Sequence, residues 1–470
     1  MAIQWSGLGP GLLLRLDRGG DQSLRSQLEA GLREAIRDGR LHVGERLPSS
    51  RELARELGIS RGLVQECYTQ LLAEGYLTSQ VGSATRVATG AYQMPSVPVA
   101  RPGRPRLIAD FLWGVPDLAS FPRSDWVWAT REACAHVASA ELGYSDPRGN
   151  PAFREVLSAY LRRVRAAAAA AERIVICTGY AQGLGVVVRA LAQLGVRRVA
   201  FEDPGYGEAD TSESMKVTRA AGVQLAHVPV DELGLDVAAL DASGARAVVV
   251  TPAHQSPTGV VLAAERRHAL VEWANRNDAF IIEDDYDSEF RYDREPVGLL
   301  QGLAPDRVFA IGTVSKSLAP AIRLGWVLVP PAHVGAVAEE KHMSDRGSSG
   351  VDQLAVAALL ESGRYDRHLR RMRAMYAGRR GVLIDALARH APDVRLTGLA
   401  AGFHAVAHLP DAADERAVVA AARQRSVGLY GMSLYRADGA VTPPQLVIGF
   451  GCVGERAIES GIRAIADLLR

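Results

Sequence analysis

Residues 313–326 read TVSKSLAPAIRLGW, with one lysine, Lys316, between two serines and Arg323 seven positions on. The chain of 470 residues has 54 Lys and Arg; three are lysines (Lys216, Lys316, Lys341), leaving 54 − 3 = 51 arginines. A codon bias of a GC-rich genome explains why lysine is rare, but not why one lysine falls here. A primary amine condenses with an aldehyde to form a Schiff base, which a guanidinium cannot do. The run VFAIGT just before the lysine is almost wholly apolar, so Lys316 stands after the end of a buried strand.

Working outward, the same pattern recurs. RIVICTG, RRVAFEDPGY, ARAVVVTPAH, AFIIEDDY, RVFAIGTVSK and RLGWVLVP are short apolar runs separated by helical stretches. Near-continuous apolar runs alternating with helices predict a mostly parallel sheet covered on both faces. In such sheets ligands gather at the carboxyl ends of the strands, and most of these runs end in polar residues. From about Ala338 the pattern changes to long helices and then AGFHAVAHL and QLVIGFGCV, predicting a smaller α+β subdomain over 338–470.

Upstream, the spacing predicts a different unit. Leu24, Leu28, Leu32 and Ile36 recur every four residues and the pattern stops at Gly39. In LPSSRELARELGISRGLVQECYTQLLAEGYL, Ser49 or Ser50 caps one short helix ended by Gly58, and Ser60 caps a second that runs to Gly75. Two short helices joined by GIS form a helix-turn-helix, and YLTSQVGSATRVAT follows as a hairpin or wing. The expected division is a DNA-binding domain over 12–90, a Pro/Arg-rich linker over 91–106 and an α/β domain over 107–470.

Composition limits the alternatives. Apolar content of 48% with 23% charged residues is that of a soluble globular protein, and a net charge of +1 supplies no global field for nucleic acid. The longest apolar runs are too short to cross a bilayer. Cys67, Cys134, Cys177 and Cys452 are scattered without CxxC pairs, which fits a reducing cytoplasm and disfavours disulfides or a cysteine zinc site.

Pyridoxal phosphate (PLP) is the common aldehyde held by a lysine, and its site needs more parts. It needs a carboxylate for the pyridine nitrogen, a donor for the phenolate oxygen, an aromatic against the ring and an anion cup for the phosphate. IIEDDYDSEF offers Asp284 and Tyr286, EDPGY offers Tyr206, and TGYAQGL opens a helix with Thr178 to Gln182. Thr313 and Arg323 flank the lysine. The acidic run Glu283, Asp284, Asp285, Asp287 and Glu289 also reads as a solvated loop or a magnesium site.

The motifs YSDPRGNPAFR, TGYAQ, EDPGY, TPAHQSPTG, EDDYDSEFRY and TVSKSLAPAIRLGW resemble those of a fold-type I PLP-dependent aminotransferase over nearly all of 107–470. LPSSRELARELGISRGLV with its wing resembles the GntR-type winged helix, and the fusion resembles the MocR/GabR transcriptional regulators. The resemblance implies Lys316 as the Schiff-base lysine, Asp284 on the pyridine nitrogen, Tyr286 on the phenolate oxygen and Tyr206 stacked on the ring. It implies Tyr180, Ala181, Gln182, Thr313 and Arg323 around the phosphate, with Tyr144 reaching a partner subunit's phosphate in a homodimer, domain-swapped in one form. It places Arg51 and Arg61, at helix starts with Ser49 and Ser60, against DNA and Gly82 at the wing tip. The competing reading pairs Arg51 or Arg61 with a neighbouring acid such as Glu52 or Glu56.

Two departures bear on function. Aminotransferases carry an Asn before the PTG turn; here Ser256 stands there, with His254 or Gln255 as the substitute. Catalytic members also carry a late arginine for the substrate α-carboxylate, and the corresponding position is Val447, with Arg436 nearby. The reading is a DNA-binding regulator sensing an amine, an amino-acid-like effector or PLP itself. The alternatives are an active aminotransferase with an accessory winged helix and a PLP-free dimerisation scaffold.

Overall fold

The computed structural model describes residues 16–79, 84–88, 107–144, 146–206, 212–292 and 297–470. The chain divides into two compact units, Met1–Arg104 and Pro105–Arg470.

In the first unit the Leu24–Arg37 helix buries Leu28, Leu32, Ala35 and Ile36, the face that the four-residue spacing predicts. Ser49, not Ser50, caps the Ser50–Leu57 helix: its side chain accepts from the Glu52 N–H while Glu52 accepts from the Ser49 N–H. This reciprocal cap stabilises the helix start by about 1 kcal/mol. Gly58 ends the helix at φ 65, a left-handed conformation that glycine adopts without strain. Ser60 caps the Arg61–Ala73 helix, which buries Val64, Cys67, Tyr68 and Leu71. Leu77–Thr78 then pairs antiparallel with Arg86–Val87, completing a winged helix-turn-helix around one apolar core. The wing tip at Gly82 and the 91–106 linker lie outside the described residues.

The second unit is built on an eight-stranded sheet. Its order is Ile174–Cys177, Gly325–Leu328, Val308–Thr313, Phe280–Asp285, Ala247–Val250, Arg198–Asp203, Gln224–Asp231, Gly234–Leu235. Gly325–Leu328 and Gly234–Leu235 run against the rest; all other neighbours pair in parallel. The interior strands Val308–Thr313 and Ala247–Val250 are buried along their length, as their unbroken apolar runs predict, and the sheet packs between two apolar layers. A smaller antiparallel sheet follows, in the order Arg395–Thr397, His404–His408, Gln445–Gly449, Tyr430–Gly431. Ala109–Asp110, at the start of the unit, pairs with Val427–Gly428 and ties that subdomain to it.

Register sets the site. Thr313 pairs with Gly325, which pairs with Cys177, and Gly312 pairs with Asp285. The residues just past these strand ends, Thr178, Tyr286 and Lys316, therefore issue from one edge of the sheet. Among the described residues no helix is long and apolar enough to cross a membrane.

Candidate functional site

Lys316 follows the Val308–Thr313 strand and is partly buried. Its Nζ donates to the Gly114 carbonyl at 2.5 Å, a partner on a segment that carries no motif. Burial pulls the Lys316 amine below its usual pKa, against the attraction of Asp284 and Asp287.

Alternation along the Phe280–Asp285 strand and its continuation splits the acidic run. Glu283 accepts the Leu300 and Gln301 N–H groups, at 3.0 and 3.1 Å. Asp285 forms a two-pronged ion pair with the buried Arg165, at 2.6 and 2.9 Å. Asp284 points the other way, into the site. The acids do not converge, so this run is neither a solvated loop nor a magnesium cluster. Asp284 Oδ2 accepts from the Tyr206 hydroxyl at 2.6 Å, while its Oδ1 is buried without a partner. Burial pushes the Asp284 carboxyl up to about 8, with the Tyr206 bond opposing. Tyr206 stacks on Tyr180, ring centroids 5.8 Å apart and planes 7° from parallel.

The Tyr180–Gln193 helix starts at Gly179, whose φ of 113 needs glycine, and has no side-chain cap. A Cβ on Gly179 would sit 3.4 Å from Arg323 Nη1, so the guanidinium lies over the helix start. Arg323 is exposed, and its guanidinium makes no hydrogen bond or ion pair among the described residues. An uncapped helix N-terminus beside an arginine suits an anion electrostatically. Gln182 spends its amide on the Thr178 N–H and on Asp345, at 2.8 and 2.7 Å. Ala181 follows Tyr180 in the first turn of this helix, and Thr313 bonds Ser315 at 2.8 Å. Tyr144 is 92% exposed, with Arg346 over its ring.

Tyr286 is buried against His254. Its hydroxyl lies 3.0 Å from the His254 carbonyl and 3.2 Å from Nδ1, and Nδ1 lies 2.9 Å from Asp287 Oδ2. Ser256, where the Asn was expected, is buried and its Oγ has no partner. His404 packs on His254 with centroids 4.6 Å apart. Asp287, His404 and Gly114 were not singled out from sequence; Asp287 was inside the acidic run, and the other two have no local signal.

Val447 is fully buried in an apolar cluster with Val406 and Met432, against Trp113 and Tyr435. Arg436 does not compensate. Its guanidinium is spent on the Ala440 and Pro443 carbonyls and the Gln445 side chain, at 2.7 to 2.8 Å.

In the winged helix, Arg51 and Arg61 are exposed. Neither makes an ion pair with Glu52 or Glu56; Arg61 reaches the Ser50 hydroxyl at 3.4 Å, and Arg51 has no partner among the described residues.

Comparisons with known proteins agree with this architecture. Residues 24–87 match the model of bacterial regulatory proteins of the gntR family, and residues 112–438 match that of aminotransferase class I and II. The HTH-type pyridoxine biosynthesis transcriptional regulator PdxR of Corynebacterium glutamicum is 33% identical, over 95% of this chain and 96% of its own. The probable rhizopine catabolism regulatory protein MocR of Rhizobium meliloti is 32% identical, over 96% and 95%. The solved kynurenine aminotransferase of Pyrococcus horikoshii shares the fold of the second unit, with a TM-score of 0.69 at 24% identity, over 77% of this chain and 91% of that one. The class I and II fold implies PLP. The free Asp284 Oδ1 and the Arg323 cup are what such a group requires. The chain belongs to the HTH-type transcriptional regulators of the MocR and PdxR type, which join a gntR-family DNA-binding domain to an aminotransferase class I and II domain.

Proposed function

We propose that this regulator holds PLP on Lys316 and that the ligand it reads is the aldehyde cofactor itself, not an α-amino acid. When bound, PLP supplies an aldehyde carbon for an amine and a ring that withdraws electrons from it. Lys316, whose amine is kept more readily neutral by burial, is the nucleophile for that carbon. Asp284 Oδ1 accepts the ring N–H. Tyr286 donates to the ring oxygen; burial holds its phenol well above the usual value, so it keeps its proton. Arg323, Thr313 and the first turn of the Tyr180–Gln193 helix hold the phosphate, Tyr206 lies against the ring, and exposed Tyr144 reaches a partner subunit's phosphate in a homodimer. Arg51 and Arg61 contact DNA from the two helix starts, and a difference in PLP affinity between two arrangements of the chain changes that contact.

The observation that carries the choice of ligand is Val447. A carboxylate placed there would be buried without a donor, which costs several kcal/mol. An aldehyde phosphate needs no such anchor. The PdxR relative, named for pyridoxine biosynthesis, supports this reading.

The test is an absorbance scan of the purified protein with PLP. A band at about 420 nm is expected, absent in Lys316→Ala and unchanged by α-amino acids. A colourless protein overturns PLP binding, and a band that amino acids bleach overturns the choice of ligand.

A further inference from the structure

We propose that His254, locked by Asp287, is a positioning residue that sharpens Tyr286 as a donor and so takes over the work of the Asn missing at Ser256. The inference rests on the PLP reading above, since Tyr286 is the group through which it acts.

The geometry is specific. His254 and Asp287 have side chains 0% and 1% exposed, and Nδ1 to Oδ2 is 2.9 Å. Carboxylate oxygens only accept, so Nδ1 carries the proton. The same nitrogen is 3.2 Å from the Tyr286 hydroxyl, whose oxygen accepts a share of that proton. A hydroxyl that accepts from a charge-assisted pair becomes a better donor to its next partner. In this structure the Tyr286 proton points at the His254 carbonyl, 3.0 Å away, and rotates to a ring oxygen when one is present.

The imidazole cannot turn away. His404 packs on its face with its own Nε2 on the Pro257 carbonyl at 3.1 Å. Gly402, at φ 66, closes the remaining side. A Cβ there would come 2.3 Å from Asp287 Oδ2 and 2.6 Å from His254 Nδ1, so any side chain would wedge the pair apart.

The experiment is a pH titration of the visible band of PLP-loaded, full-length protein. The titratable groups facing Tyr286 and its neighbours are His254, Asp287, Asp284, Glu202, His404 and Lys316. A donor on the ring oxygen withdraws the negative charge that otherwise holds the imine proton, so weakening that donor moves the midpoint up. His254→Gln and the shape-conserving Asp287→Asn are expected to raise the midpoint by about half a pH unit or more, and Tyr286→Phe by more. In a Tyr286→Phe background His254→Gln is expected to add nothing, because its route is gone. An unmoved midpoint in both single variants, or an equal shift with and without Tyr286, overturns the proposal. Colourless wild-type protein instead overturns the PLP reading, which separates the two failures.

Discussion

The two sides of the site beside Lys316 are built to different standards. On the side proposed to hold PLP, Asp284 has a free buried oxygen, Tyr286 lies against His254, and Arg323 lies over an uncapped helix start. On the side where an aminotransferase anchors its substrate carboxylate, Val447 is fully buried among Val406, Met432, Trp113 and Tyr435. In the proposed function, apolar groups at the second take away a carboxylate anchor and leave the cofactor's residues in place. In a chain that carries a winged helix, that is the division of labour we propose for a receptor of the cofactor.

The largest effect expected on this contrast is at Lys316. Lys316→Ala should abolish the visible band of the PLP-treated protein completely while leaving the fold intact, read by absorbance and circular dichroism. Val447→Arg breaks the contrast from the other side. An unpaired guanidinium in this cluster should destabilise the protein by about 3 kcal/mol or more, read by denaturant unfolding. If α-amino acids then bleach the band of the folded variant, the valine is what excluded them. Asp284→Asn should weaken PLP binding by about 10- to 100-fold, the worth of a hydrogen bond to a charged group. An unchanged affinity would mean that Asp284 does not face the ring nitrogen.

The smallest effect is on stability against pH. Burial pushes Asp284 up to about 8 and Glu202 and Glu283 up to about 7. Unfolded carboxyls release their protons near a pH of about 4, so above that the native state binds more protons than the unfolded one. Stability then falls as pH rises through the folded values. His404, held well below 6.5 by burial and by His254, works in the opposite sense but only below that pH. The Tm of the cofactor-free protein should therefore fall from about pH 6.5 to 8, and PLP should flatten the fall by giving Asp284 a positive partner. A Tm that rises over this window would contradict the burial of these carboxyls.

That these residues come together was legible in the chain because each lies at or shortly past the end of an apolar run: Asp284 in AFIIED, Tyr206 after VAFEDPG, Lys316 after VFAIGTVS. Strand ends converge at one edge of a parallel sheet, so order along the chain is enough to bring them together. The acidic run shows where this stops. Read as a block it suggested a metal or a solvated loop, yet the period of two in a strand sends Glu283 and Asp285 away from Asp284. The support around His254 was not legible. Asp287 has no partner nearby in sequence, and His404 touches Pro257 across 147 positions, through a subdomain whose docking no local pattern encodes. Which of Ser49 and Ser50 caps the helix was also open, because both offer the same hydroxyl; the Glu52 partner of the capping box decides it.

The central claim is that PLP is the ligand that this site converts into a change in DNA binding. The direct measurement is the affinity of the full-length protein for DNA from the region upstream of its own gene, by fluorescence anisotropy at fixed salt, with and without PLP and α-amino acids. A shift of about tenfold or more on adding PLP is predicted, lost in Lys316→Ala and not reproduced by amino acids. An affinity that PLP leaves unchanged, or that only an amino acid moves, would contradict it.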